Sequence, residues 1–261
     1  MISLSSFLGI FLGIALLAFS VHRETDNWQI FLSSSSLLIV LGGTITVTLI
    51  GYRAKYAWSA CLQLLKIYLH QPITPRSLMG DVKTMVEWSR KVQADGNMAL
   101  DSIARGSKDE FVRYIFQLAS TGYTVDDIRN FGTTSIEEHY FRRLQESHIL
   151  NSMGSTTPAL GLVGTLLGLI TMLSKLEDPS KLGPGLALAL TATLYGLLFA
   201  RFFFLPSATK VKQTLSIERF RQYLILEGVV LLMEKRPTMY VQDRLNSFLD
   251  RRSQYSATPR A

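Results

Sequence analysis

Two long uncharged apolar runs in the second half of the chain constrain the fold more than any other feature. They cover residues 150–174 and 182–200, and only a short polar turn separates them. A helix needs about 20 predominantly apolar residues to cross the hydrocarbon core of a bilayer. Each run is long enough to do so, and the sequence therefore predicts a transmembrane hairpin.

Two further apolar runs, residues 2–21 and 29–51, also qualify as spans. The first has the position of a secretory signal, but it lacks a basic n-region and a cleavage site, and a second span follows at once. We therefore predict an all-α membrane protein with four transmembrane helices and a helical cytoplasmic domain inserted between spans 2 and 3. The predicted parts are 1–51 (spans 1 and 2), 52–149 (cytoplasmic domain), 150–206 (channel-lining hairpin) and 207–261 (cytoplasmic helices and a disordered tail).

The polar segments have the periodicity of amphipathic helices. Four or five helices are predicted between residues 54 and 150, with starts at Thr74-Pro75 and Thr124, because a hydroxyl caps the free N–H groups of a helix. Breaks are predicted at four glycine positions, Gly96, Gly106, Gly122 and Gly132. The last helix, 135–146, is predicted to run almost directly into the third span, and two more helices follow at 210–235 and 241–249.

The net charge of +7 is concentrated in the long loop and the C-terminal segment. By the positive-inside rule these face the cytoplasm, so we predict a multi-pass protein of the bacterial inner membrane with both termini cytoplasmic. Nucleic acid is excluded as a partner because no basic patch is interleaved with aromatic residues. The single cysteine and four histidines have no metal-ligand spacing, and we expect no metal, no cofactor and no enzymatic activity.

Small and hydroxylated residues recur in the hairpin at helical spacing. They are Gly161, Gly164, Thr165 and Gly168 in the first run and Gly185, Ala189, Thr193 and Gly196 in the second. Small residues let helices approach closely in lipid, and threonine hydroxyls can face an ion. The four spans contain no Asp, Glu, His or Lys. Either the chain conducts nothing and the threonines are structural, or a partner supplies the membrane carboxylate.

Two other polar features in or beside the spans have simpler interpretations. The serine run 33–36 lies in the second span, and we interpret it as a weakly polar helix packed against its neighbours, with hydroxyls bonded back to carbonyls one turn earlier. Arg201 follows the last span directly, and we expect its side chain to extend to the lipid headgroups.

The hairpin sequence is similar to that of a known family. It reads Thr157-Pro-Ala-Leu-Gly-Leu-Val-Gly-Thr-Leu-Leu-Gly-Leu169 in the third span, with Thr193-Leu-Tyr-Gly196 and Phe204-Leu-Pro206 in and after the fourth. With Ile39-Val-Leu-Gly-Gly-Thr44 in the second span, it resembles the A subunit of flagellar stators, the MotA family. Within that family it is most similar to the sodium-type PomA branch, while TolQ and ExbB are more distant relatives.

The resemblance implies a membrane complex in which several A subunits surround two B subunits, each with an essential Asp on a single transmembrane helix. Ion binding to that Asp turns one ring against the other, and the cytoplasmic domains act on the rotor switch protein. The chain would then be an ion-conducting, torque-generating stator subunit that transports sodium or protons. The matching positions are Thr165, Thr193, Pro158 and Pro184 for the ion pathway, and Arg90, Lys91 and Asp101 for the rotor-facing surface.

Departures from the family pattern leave the ion open. Ser33 stands where the sodium-type subunit has Asp, Ser155 replaces an Asp before the channel proline, and Arg201 stands where a small polar residue is usual. Two other functions remain: a TolQ/ExbB-like subunit that energises a non-flagellar envelope process, and a structural membrane scaffold. The order of elements favours the stator, because TolQ-like chains have three spans rather than four.

Overall fold

The fold is described from a computed structural model of the chain. It covers residues 4–24, 31–69, 73–178 and 182–256, and all regular secondary structure within these ranges is helical. Parts of the predicted polar turns between the spans lie outside the described residues, as does the end of the predicted tail.

Helices follow one another along the described chain with short connections. In order they are α1 (Leu4–Glu24), α2 (Ser34–Leu37), a π-helical segment π1 (Leu38–Gly42), α3 (Gly43–Gly51), α4 (Ala54–Leu69), α5 (Pro75–Asp95), α6 (Asn97–Gly106), α7 (Glu110–Ser120), α8 (Val125–Leu173), α9 (Leu182–Leu198), a second π-helical segment π2 (Phe199–Phe204), α10 (Leu205–Met233) and α11 (Thr238–Asn246). A short 3₁₀ turn, Arg251–Ser253, follows α11.

Three helical stretches among the described residues are long and apolar enough to cross a membrane. They are Ser34–Gly51, Val125–Leu173 and Leu182–Met233, and they contain the second, third and fourth predicted spans. A 21-residue helix, α1, forms where the first span is predicted, and the count of four spans stays a prediction. The second span begins at Ser34 rather than at residue 29, because the Ser33 hydroxyl accepts the N–H of Ser36 (3.2 Å) and caps the helix.

Helix starts in the polar part follow the capping signals. Thr74 Oγ1 accepts the N–H of Ser77 (3.3 Å), and Ser77 Oγ accepts the N–H of Thr74 (3.0 Å), so that each residue satisfies a free donor of the other. Thr124 and Asp127 form the same reciprocal arrangement at the start of α8. Both predicted starts are confirmed.

Three of the four predicted glycine breaks are confirmed, and Gly106 is one of them because it is the last residue of α6. Gly96 and Gly122 adopt positive φ angles of 58° and 91°, which residues with a side chain rarely adopt, and each separates two helices as predicted. The predicted break at Gly132 is wrong. Gly132 lies inside the 49-residue helix α8, where the absence of a side chain makes room for Leu226. The same helix contains both the segment 135–146 and the third span, which agrees with the prediction.

The chain divides into two units. The first comprises Met1–Gln71 and Arg143–Gln213, and the second Pro72–Arg142 and Thr214–Ala261. The second unit has a closely packed apolar core in which Phe116 and Ile128 are fully buried, and the ring of Trp88 meets that of Phe116 edge to face at 5.1 Å.

The predicted disorder of the tail is wrong for residues 251–256. The Asn246 side chain donates to the carbonyl of Tyr255 (2.7 Å) and accepts from its N–H (2.8 Å). This pair of hydrogen bonds holds the segment after α11 against that helix. Residues 257–261 lie outside the described residues.

Candidate functional site

The membrane hairpin is packed backbone to backbone. A methyl group placed at Gly168 of α8 would lie 2.6 Å from both the amide nitrogen of Ala189 and the carbonyl oxygen of Gly185 in α9. One placed at Gly161 would lie 3.0 Å from the carbonyl oxygen of Ala192. Only glycine fits at such distances, and the small residues predicted from the sequence therefore set the spacing of the two helices.

Thr165 and Thr193 meet across this close interface. Their Oγ1 atoms are 2.6 Å apart, and both residues are half-buried. Thr165 Oγ1 also donates to the carbonyl of Gly161 (3.0 Å). Thr193 Oγ1 likewise lies 3.4 Å from the carbonyl of Ala189. Because each hydroxyl has one hydrogen, one threonine supplies the hydrogen between the two oxygens while the other donates to its own helix. In this arrangement the remaining capacity of the pair consists of oxygen lone pairs, which are the ligands that alkali cations and water require.

Pro158 lies seven residues before Thr165 in the same helix. Proline has no N–H, so the carbonyl of Gly154 lacks its donor in the helical ladder. The turn is covered by α9: a methyl group at Gly196 would lie 3.2 Å from the Cα of Pro158 and 3.1 Å from the carbonyl oxygen of Thr157. The structure thus places a weakened turn of α8 directly against α9.

Pro184 is separate from these residues. It is exposed and is the third residue of α9, where the missing N–H removes no helical hydrogen bond. Nine residues separate it from Thr193, which corresponds to about 13 Å along a helix. Its position therefore agrees with a helix start at the other end of the hairpin.

The second span joins α9 through hydroxyl groups whose partners the sequence did not reveal. Ser36, which is fully buried, has its Oγ 2.6 Å from Thr191 Oγ1. The Tyr195 hydroxyl donates to the carbonyl of Phe31 (2.6 Å) and accepts the N–H of Ser33 (3.1 Å). The interpretation of Ser36 as bonded back to its own helix is wrong, because its hydroxyl meets Thr191 and the Ser33 side chain instead.

The three predicted rotor-facing residues lie in the second unit. Arg90 and Lys91 are exposed near the end of α5. Asp101 of α6 forms an ion pair with Arg105 one turn later (2.9 Å), and exposed pairs of this kind contribute little to stability. The structure does not join Arg90 and Asp101 in an ion pair.

A three-residue ion cluster in the second unit has no counterpart among the predicted sites. Arg221 of α10 binds Asp81 with two nitrogens (2.7 and 3.0 Å) and Asp109 with the third (2.6 Å). Burial would raise the pKa of Asp109, but hydrogen bonds from Arg221 and from the N–H groups of Val112 and Phe111 outweigh it and hold that pKa below its usual value. None of the sequence patterns described above indicates this cluster.

Oxygen atoms are the ligands that the hairpin offers. Across the described ranges, His, Cys, Asp and Glu side chains form no group of three that would hold a metal ion. The spans are uncharged, so the two threonine hydroxyls can add to a cation site but cannot balance its charge.

The sequence is similar to those of known proteins over most of its length. The sequence profile of the MotA/TolQ/ExbB proton channel family matches residues 103–221. The Bacillus subtilis protein YtxD is 30% identical over 226 residues, which are 87% of this chain and 82% of that protein. Chemotaxis protein PomA of Vibrio alginolyticus is 28% identical over 220 residues, 84% of this chain and 85% of that protein.

Solved structures show the same fold. A chain of the C. jejuni MotAB structure superposes with a TM-score of 0.89 at 23% identity, covering 98% of this chain and all (100%) of that one. A chain of the flagellar MotAB stator complex from Bacillus subtilis gives a TM-score of 0.84 at 23% identity, with 94% of this chain and 96% of that one covered.

Proposed function

Because the chain belongs to the MotA/TolQ/ExbB proton channel family, we propose that it is an ion-conducting, torque-generating A-type subunit of a flagellar stator. The observation that carries this proposal is the contact between Thr165 and Thr193, two hydroxyls 2.6 Å apart on two apolar helices. A structural scaffold would need close packing between these helices, but it would not need two half-buried hydroxyl oxygens with free lone pairs.

The ion is held by a carboxylate that a B-type subunit brings into the membrane. The absence of Asp, Glu, His and Lys from the spans of this chain supports this division of labour. The face of α8 turned away from α9 supports it too, because Leu162, Leu166 and Ile170 are 62%, 60% and 62% exposed. Such side chains fit lipid or the apolar part of a partner helix.

The wider arrangement follows from the same assignment. Several copies of the chain surround a pair of B subunits in the bacterial inner membrane, with four spans per copy and both termini in the cytoplasm. The exposed charges of Arg90 and Lys91 and the half-buried charge of Asp101 meet the rotor switch protein. Pro158 and Pro184 belong to the ion pathway, Pro158 as the flexible turn and Pro184 as the start of the fourth span.

The transported ion is sodium or a proton, and the threonine pair allows a direct test. Sodium needs several oxygens to replace its hydration shell, whereas a proton needs a carboxylate and a path of water. The two added hydroxyl oxygens favour sodium, as does the PomA-like hairpin. Thr165→Ala removes one oxygen and should therefore impair sodium-driven rotation more than proton-driven rotation.

The measurement is the rotation speed of single motors at fixed pH while external sodium is replaced by potassium. Thr171→Ala is the matched control, because Thr171 lies on the same helix, is exposed, and bonds only to its own helix (Leu167 O, 2.8 Å). A wild-type speed that does not change with sodium would exclude the sodium assignment and leave a proton-driven motor.

Coupling between ion binding and movement is assigned to Pro158. Replacement by Leu restores the missing N–H and closes the ladder at Gly154, so Pro158→Leu should stiffen α8 while the complex still assembles. Co-purification with the B subunit should stay normal and rotation should fall. Loss of co-purification would show instead that the proline serves folding.

A second function, as a TolQ/ExbB-like motor for an envelope process, is favoured by the breadth of the matching family. Deletion of the gene separates the two: loss of swimming with an intact envelope supports the stator. Normal swimming with a leaky or transport-deficient envelope would support the alternative.

A further inference from the structure

The turn of α8 around Pro158 is contacted by the second span as well as by α9. Thr44, the second residue of α3, has its Oγ1 3.2 Å from the Oγ1 of Thr157. Both threonines are fully buried, with 0% of their surface exposed. A hydroxyl pair sealed between two helices is directional, and it therefore fixes where the Pro158 turn lies relative to the second span.

The direction of this hydrogen bond follows from a count of hydrogens. Thr157 Oγ1 donates to the carbonyl of Met153 at 2.5 Å, beside the carbonyl that Pro158 leaves without a donor. Each hydroxyl has one hydrogen, so a hydrogen bond between the two threonines uses the hydrogen of Thr44. Thr157 thus stabilises the weakened turn by a hydrogen bond within α8. Thr44 stabilises it by a contact from α3.

Thr44 has a second acceptor within reach. Its Oγ1 lies 2.6 Å from the carbonyl of Val40 in π1. With one hydrogen and two acceptors, the hydroxyl can give up Thr157 and still remain hydrogen-bonded inside the membrane. Breaking a buried hydrogen bond is costly when it leaves a group unpaired, and this alternative acceptor removes most of that cost.

We propose that Thr44 is a positioning residue for the movement of α8. In one position of the Pro158 turn its hydroxyl donates to Thr157, and in the other it donates to Val40, so the second span guides the bend between two defined positions. The proposal rests on the proposed function, because it assigns Thr44 to ion-driven movement of α8. It predicts that loss of the hydroxyl reduces the rotation obtained per transported ion.

The test compares Thr44→Val with Thr44→Ser and with the control Thr46→Val, in the full chain co-expressed with its B subunit. Thr46 lies two residues after Thr44 on the same helix and is exposed. Its hydroxyl bonds only to the carbonyl of Gly42 (2.9 Å). Three quantities are measured: the amount of assembled complex, the ion flux into cells that contain it, and the rotation speed under load.

Thr44→Val should assemble and conduct normally, with rotation per ion lowered about fivefold, the factor that corresponds to about 1 kcal/mol for one neutral hydrogen bond. Thr44→Ser should keep the hydroxyl and the wild-type ratio, and Thr46→Val should be unaffected. Thr157→Val removes the acceptor from the opposite side. The double variant Thr44→Val/Thr157→Val should give the same rotation per ion as the more impaired of the two single variants, because both substitutions remove the same contact.

Three results would overturn the proposal. Equal rotation per ion in Thr44→Val and Thr46→Val removes any role for the hydroxyl. Loss of assembled complex in both Thr44→Val and Thr157→Val makes their contact a folding contact. Additive effects in the double variant mean that the two residues act separately. In all three cases a rotating wild-type motor leaves the proposed function intact, whereas a wild-type chain that drives no rotation contradicts that function itself.

Discussion

The spacing of the hairpin can be changed by one methyl group. Gly168→Ala places a Cβ 2.6 Å from the nitrogen of Ala189 and from the carbonyl oxygen of Gly185. Comfortable contacts of carbon begin at about 3.5 Å, so α8 and α9 have to separate locally by about 0.9 Å. Both obstructing atoms belong to the backbone of α9, and no side-chain rotation can relieve them.

The same shift reaches the threonine pair three residues away. A separation of Thr165 and Thr193 Oγ1 of 2.6 Å would become roughly 3.5 Å, at which a hydroxyl hydrogen bond is lost. Overpacking of this kind costs about 1–3 kcal/mol, partly offset by up to about 1 kcal/mol from the higher helix propensity of alanine. We expect a modest loss of thermal stability and a large loss of ion-driven rotation.

Gly183→Ala is the matched control, since Gly183 lies at the start of α9 with no atom within 4 Å of an added methyl group. The two variants are compared by the unfolding temperature of the detergent-solubilised complex and by the speed of single motors. Gly183→Ala should match the wild type in both. Equal behaviour of Gly168→Ala and Gly183→Ala would refute the argument that backbone contact sets the geometry of the site.

Two predictions concern the second unit. The pKa of Asp109 is lowered in the folded chain, so its contribution to stability is complete above its unfolded pKa of about 3.9 and is lost as the pH falls through the lower folded value. Asp109→Asn should therefore flatten the acid side of a thermal unfolding profile, whereas the exposed Asp126→Asn should not. Arg90→Glu should lower motor torque partially, with recovery by a charge reversal on the rotor protein, while Arg76→Glu in the first turn of the same helix should have no effect. Unchanged torque in Arg90→Glu would contradict the rotor-facing assignment.

The sequence was sufficient for features that depend on neighbouring residues. Hydropathy located three described helices that are long and apolar enough to cross a membrane. The hydroxyls of Thr74 and Thr124 located two helix starts, because capping involves residues three positions apart. The small residues of the hairpin also predicted a close interface, since a repeat along each helix places them on one face.

Contacts between distant segments were not predictable in the same way. Arg221 lies 140 residues from Asp81 and 112 from Asp109, and nothing in the local pattern indicates which acids it meets. Ser36 and Thr191 are 155 residues apart. Their pairing depends on the rotation of two helices about their axes, which apolar composition on all sides does not determine.

The contacts of α9 explain which part of the hairpin is free to move. One face of α9 presents Thr191 and Tyr195 to the second span through hydrogen bonds, and another presents Ala189 and Ala192 to α8 at backbone distance. A helix held by directional bonds on one side and by close packing on another has little freedom of its own. The helical ladder is interrupted by proline in α8, at Pro158. If the proposed function holds, movement driven by an ion at the threonine pair should therefore bend α8 at that turn while α9 keeps its hydroxyl in place.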